Sequence, residues 1–96
     1  MSAKSAKPSK KKPAIDRPFD AQVLERARKI AAGYQIILQF EDGEYFGRGL
    51  ELPYAMSDGK TPDQCVANTR DAFVAVVATM LEAGVAPPSP AWARAA

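Results

Sequence analysis

Between "YQIILQF" and "YFGRGL" stands the run Glu41-Asp42-Gly43-Glu44, and these four residues call for an antiparallel hairpin. A two-residue type I′ turn needs positive φ at both central positions, which Asp and Gly tolerate, and its twist matches that of the strands it joins. With the turn at Asp42-Gly43, Phe40 pairs with Tyr45, Leu38 with Gly47 and Ile36 with Gly49. Glu41 then faces Glu44, a like-charge pair that costs a little; a bulge or a longer loop is the alternative. By the period of two, Tyr34, Ile36, Leu38 and Phe40 share one face. Gly47 and Gly49 fall on that face too, and glycine inside a strand marks the close approach of another element, here a crossing helix. The opposite face carries Ile37, Phe46, Leu50 and Leu52 among Gln35, Gln39 and Arg48. A single sheet layered on one helix leaves those apolar groups in water, so either the N-terminal helix or another chain must cover them.

Two helices flank the hairpin. In "RPFDAQVLERARKIAAGY", Asp20 is placed as an N-cap and Phe19 with Leu24 as a hydrophobic staple. Val23, Leu24, Ala27, Ile30 and Ala31 form the apolar stripe, and Gly33 is expected to end the helix in a left-handed conformation. After Pro53 ends regular pairing, "YAMSDGK" supplies a short third strand and a turn. Thr61-Pro62-Asp63-Gln64 is a capping box with proline at the first helical position. The helix it opens should reach about Ala83 and stop at Gly84, with Val66, Thr69, Phe73, Val76 and Met80 toward the sheet. From Ala72 to Leu81 that helix is apolar almost all round, which requires cover on more than one side, from the first helix or by self-association.

Charge is distributed unevenly over the 96 residues, whose formal net charge is +2. Lys4, Lys7, Lys10, Lys11 and Lys12 leave eight basic against eleven acidic side chains in the rest, so the folded part stands near −3. A tail of lysine, serine, alanine and proline lacks the apolar surface needed to order itself. It reads as a solvated arm, with weak, salt-sensitive nucleic-acid contact through its lysines as the sharper alternative. The organisation expected is a disordered basic tail over 1–18, an amphipathic helix over 19–33, a main domain over 34–86 and a proline-rich tail over 87–96. The single cysteine suits a reducing cytosol. No apolar run approaches the ~20 residues of a membrane span and no signal-peptide core opens the chain, so a cytoplasmic protein is expected.

The chain contains no histidine, which removes the commonest general base near neutral pH. Cys65, early in the second helix beside Val66, has no base in its neighbourhood and reads as a packing thiol. Metal-ligand spacing, a phosphate-binding glycine loop and a nucleophile elbow are all missing from the sequence, so neither enzyme activity nor a cofactor is expected.

The stretch "YQIILQFEDGEYFGRGLELPYAMSDGKTPDQCVANTRDAFVAVVATMLEAG", Tyr34 to Gly84, resembles the HicB family of antitoxins. The positions carrying the resemblance are Tyr34, Gly43, Tyr45, Glu51, Leu52, Pro53, Gly59, Thr61, Asn68 and Ala72. It implies an α+β fold of the partial ribonuclease-H-like kind, β-β-β-α-β: a three- to four-stranded, mainly antiparallel sheet with one main helix packed on it, here with an extra N-terminal helix. It also implies a partner, a HicA-like mRNA-cleaving toxin whose active site the antitoxin masks, and a homodimer or tetramer. Ribonuclease H enzymes gather carboxylates around two metal ions, and the first strand here has none, so the fold is expected to bind rather than cut. Tyr54 stands where glycine is usual after Leu-Pro, which makes it a candidate exposed contact. After Gly84 the sequence offers "VAPPSPAWARAA", too short for the DNA-binding domain many HicB proteins carry, so operator binding is expected only if the lysine tail or a dimer surface supplies it. A short edge strand and an extended tail are expected there instead.

A toxin that binds RNA presents a basic surface, so the acids around the hairpin, Glu41, Asp42, Glu44 and Glu51, with Tyr45, Phe46 and Tyr54 as anchors, are the candidate partner contacts. The competing readings are an interaction module of the same fold without a toxin, and a small nucleic-acid-binding protein acting through Lys4, Lys7, Lys10, Lys11 and Lys12.

Overall fold

The computed structural model describes residues 19–95, so the basic tail and its five candidate lysines lie outside the described residues. The elements are α1 (Ala21–Ala31), β1 (Ile36–Glu41), β2 (Glu44–Gly49), β3 (Met56–Gly59), α2 (Pro62–Glu82) and α3 (Ala91–Ala95). The fold is α+β: one antiparallel sheet in the order β1-β2-β3, with α2 packed on one face and α1 packed on α2. Helix α1 lies along the flank of α2, whose far side (Ala67, Asp71, Ala75, Thr79) is exposed, and among the described residues the sheet has helix on one side only.

The hairpin has the register its turn dictates, Phe40 opposite Tyr45, Leu38 opposite Gly47, Ile36 opposite Gly49 and Glu41 opposite Glu44. Asp42 and Gly43 take φ of 51° and 82°, the left-handed pair of a type I′ turn. Strand β3 pairs with β2 so that Gly59 faces Tyr45 and Ser57 faces Gly47.

The glycines set how closely α2 lies on the sheet. A Cβ at Gly47 would stand 2.5 Å from Thr69 Oγ1 and 3.1 Å from Cys65 Sγ, and one at Gly49 2.7 Å from Phe73 Cε1. At Gly59 it would meet the helix backbone itself, 2.6 Å from the Cys65 nitrogen. The sheet-facing stripe is therefore Cys65, Thr69, Phe73 and Val77, all fully buried. This corrects the expected stripe by one residue at two places, Cys65 for Val66 and Val77 for Val76. The apolar girth of α2 from Ala72 to Leu81 hid its phase. The core that closes around this stripe joins Tyr34, Leu52, Ala55 and Ala78 to Ala27 and Ala31 of α1.

Helix α2 begins and ends on local chemistry. The Thr61 hydroxyl accepts the Gln64 N–H at 3.1 Å, and the Gln64 side chain reaches back to the Lys60 N–H at 2.7 Å, one residue beyond the usual partner. At the far end Gly84 has φ of 75°, with Gly84 N–H donating to Leu81 and Val85 N–H to Met80, a Schellman motif.

Helix α1 ends differently from expectation. Gly33 is not left-handed; its cap residue, Ala32, stays helical with φ of −63°. An α2 side chain adds to the terminus instead: Arg70 Nη1 donates to the Ala31 oxygen at 2.9 Å, which also accepts the Tyr34 N–H, and to the Tyr34 oxygen just beyond the helix at 2.7 Å. A guanidinium at the negative end of α1 satisfies the helix terminus and ties the two helices together. Gly33 is small for another reason, since its Cβ would lie 3.2 Å from Pro90 Cγ.

The chain beyond Gly84 forms no fourth strand among the described residues, because Pro87, Pro88 and Pro90 have no N–H to give a ladder. It folds back as a clasp rather than trailing away. The Tyr34 hydroxyl donates to the Pro88 oxygen at 2.6 Å, the Ala91 N–H to Glu51 Oε2 at 2.6 Å, and the Trp92 indole to the Gly33 oxygen at 3.1 Å.

Candidate functional site: the open face of the sheet

Alternation along the strands sends Ile37, Gln39 and Glu41 of β1, Glu44, Phe46 and Arg48 of β2, and Met56 and Asp58 of β3 to the face away from α2. Helix α1, one of the two candidates to cover that face, packs on α2 and leaves it bare. Phe46 is 39% exposed and Met56 65%. Between them lies a shallow cavity of about 90 Å³, floored by the backbone of Gly47 and Ser57 and walled by Gln39, Phe46, Arg48 and Met56. The face therefore combines exposed apolar side chains, a cavity and the charged Arg48 at its centre, with Glu41, Glu44 and Asp58 toward its margin.

The acids expected to act together are divided by the fold. Glu41, Asp42 and Glu44 gather at the hairpin tip. Glu44 is neutralised there by Lys60, whose Nζ lies 2.8 Å from Glu44 Oε2 and whose pKa is raised by that hydrogen bond. Asp42 is also committed to the turn through its positive φ. Glu51 lies at the other end of the hairpin beside Gln35, roughly 20 Å from Glu41 at strand rise, and has an internal task. Its carboxylate accepts the N–H groups of Gln35 at 3.0 Å and Ala91 at 2.6 Å, joining the start of β1 to the clasp.

The aromatic candidates part as well. Phe46 alone of the three is on the open face. Tyr45 is half-buried on the α2 side, its ring 4.8 Å from that of Phe40. Tyr54 is 58% exposed in the turn Leu52-Pro53-Tyr54-Ala55, closed by the Ala55 N–H on the Leu52 oxygen at 2.9 Å. Tyr54 has a negative φ, so this turn does not need the glycine usual at that place in HicB sequences. Leu52, expected on the open face, is fully buried because that turn swings it into the core.

Met56 and Asp58 were not singled out from the sequence, since four residues without alternation do not reveal which face each takes until the register with β2 is known. Cys65 is buried, and Thr69 Oγ1, 4.0 Å from its sulfur, is engaged in a 2.7 Å bond to the Cys65 carbonyl. Among the described residues no three His, Cys, Asp or Glu side chains converge on a metal-sized site, and no helix is long and apolar enough to cross a membrane.

Neither a family model nor a curated protein matches this chain. Among solved structures it is similar to TTHA0281 from Thermus thermophilus, with 26% sequence identity and a TM-score of 0.52 over 72% of this chain and 86% of that one. That likeness covers the sheet-and-helix architecture and brings no activity with it.

Proposed function

We propose that this chain is a non-catalytic binding domain of the antitoxin kind, which seats a basic, RNA-cleaving protein similar to HicA toxins on the open face of its sheet. The observation that supports this most is the exposed pair Phe46 and Met56 beside the half-buried Ile37, with Arg48 between Ile37 and Met56 and with Glu41, Asp42 and Asp58 at the margin. Desolvated apolar anchors supply affinity, and marginal acids attract a partner that has evolved to hold RNA. The Tyr34–Gly84 sequence resemblance supplies the identity of that partner class.

The test is binding to the product of a neighbouring short, basic reading frame. Phe46→Lys with Met56→Lys is expected to weaken the complex by roughly 1000-fold, two anchors at about 2 kcal/mol each. Glu41→Lys with Asp58→Lys is expected to lower the association rate at low salt. Full affinity in the Phe46/Met56 variant, with its circular dichroism unchanged, overturns the reading. Deleting residues 1–13 separates it from the lysine-tail alternative: that alternative expects nucleic-acid retention to be abolished, and the present reading expects toxin binding to stay intact.

A further inference from the structure

The geometry points to the free edge of β1 as a self-association seam, at which two copies of this chain pair antiparallel across a twofold axis at Leu38. This does not depend on the toxin-binding reading, since the edge and the open face are different surfaces.

Parity along the hairpin shows which backbone groups are unpaired. Residues flanking a two-residue turn form a hydrogen-bonded pair, so Glu41, Gln39 and Ile37 spend their main-chain groups on β2. The Leu50 N–H on the Gln35 oxygen at 2.9 Å continues the same parity. Ile36, Leu38 and Phe40 therefore direct their N–H and C=O groups outward, and among the described residues nothing accepts or donates to them.

The two edges of the sheet are treated differently. Strand β3 is short, carries Asp58 beside Lys60, and has its edge blunted by Asn68, whose amide donates to the Asp58 oxygen at 2.9 Å. These are the usual protections of an edge. Strand β1, "IILQFE", has six residues, no proline, lysine or bulge, and a single charge at its end. Helix α2 lies over β3 and β2 and barely reaches β1, which leaves Leu38 39% and Phe40 60% exposed beside the edge. Unsatisfied backbone and bare apolar side chains thus coincide on one strand.

A second copy fits this edge by its own symmetry. Antiparallel pairing about Leu38 sets Ile36 against the second copy's Phe40 and Leu38 against its own counterpart. Each such pair exchanges two backbone hydrogen bonds. It covers the exposed Leu38 and Phe40 of both copies on one face. It also sets Glu41 against the neutral Gln35 of the other copy, so no like charges meet across the axis. The two open faces then become one continuous surface.

Sedimentation and cysteine cross-linking test the seam. The wild-type chain is expected to sediment as a dimer. Leu38→Lys, which opposes two ammonium groups at the axis on a side chain already partly in water, is expected to halve the mass while leaving the circular dichroism unchanged. Leu38→Cys is expected to form an intermolecular disulfide under mild oxidation, because a hydrogen-bonded antiparallel pair has Cα atoms about 5.5 Å apart, within bridging range. Phe40→Cys is expected to stay uncross-linked, since its counterpart lies about 13 Å along the strand. A wild-type monomer overturns the proposal, whether the edge is then bare or taken by residues 1–18 or by a partner protein. A dimer that cross-links through Phe40→Cys and not through Leu38→Cys overturns it as well.

Discussion

At the scale of single residues, the helix-facing glycines and Tyr34 carry the sharpest consequences. A methyl at Gly59 meets the backbone of α2, which cannot step aside as a side chain can. Gly59→Ala is therefore expected to cost about 2–3 kcal/mol, more than Gly47→Ala, whose neighbours are the Thr69 and Cys65 side chains. The midpoint of urea unfolding measures both. Tyr34 has its pKa raised above the ordinary 10.0, first by burial and then by the negative charge of Glu51 and by Tyr54. The folded state thus holds the phenolic proton more tightly than the unfolded chain does. The stabilisation is complete below pH 10.0 and is lost as pH rises through the folded-state value. Tyr34→Phe is expected to flatten this alkaline decline. At neutral pH it should cost about 1 kcal/mol for the lost hydrogen bond to Pro88. Thermal unfolding across the alkaline range separates the two effects.

At the scale of elements, Arg70 joins α1 to the rest. Its guanidinium takes the Ala31 and Tyr34 carbonyls and lies 5.7 Å over the Phe73 ring. Arg70→Met keeps much of the aliphatic stem but removes both bonds, leaving the Tyr34 carbonyl without the guanidinium while Ala31 retains the Tyr34 N–H, so a loss of about 1–3 kcal/mol is expected. Hydrogen exchange should show protection falling first in α1. What the sequence disclosed of these elements follows from the range of the interactions involved. The Asp42-Gly43 turn, the Thr61 cap and the Gly84 stop are written in neighbouring residues, and each stands where the sequence put it. The α1 terminus was misread because its cap comes from a residue 39 positions away. The clasp was invisible for the same reason: prolines announce where a ladder must stop, and not where the chain goes next. At the candidate site, Phe46 was legible from alternation and Met56 was not. Glu51 looked like a surface charge until its two amide partners were brought to it.

At the scale of the whole molecule, the layering decides what is available for binding. Helix α2 buries Cys65, Thr69, Phe73 and Val77 against the sheet and packs its flank on α1, while Ala67, Asp71, Ala75 and Thr79 on its far side are exposed. Among the described residues, no helix lies on the other face of the sheet. Packing both helices on the same side is what leaves that face open among the described residues. Substitutions on the bare face should therefore leave the unfolding midpoint nearly unchanged while altering association, the reverse of those at the glycines under α2.

The clasp has one more consequence. Trp92 is the only tryptophan in the sequence, and its ring nitrogen is engaged on Gly33 while the rest of the ring stands largely in solvent. Ultraviolet emission excited at the indole band is thus a built-in gauge of whether the last turn is seated on the body of the protein. It needs no added dye, and it reads that latch separately from the melting of the core.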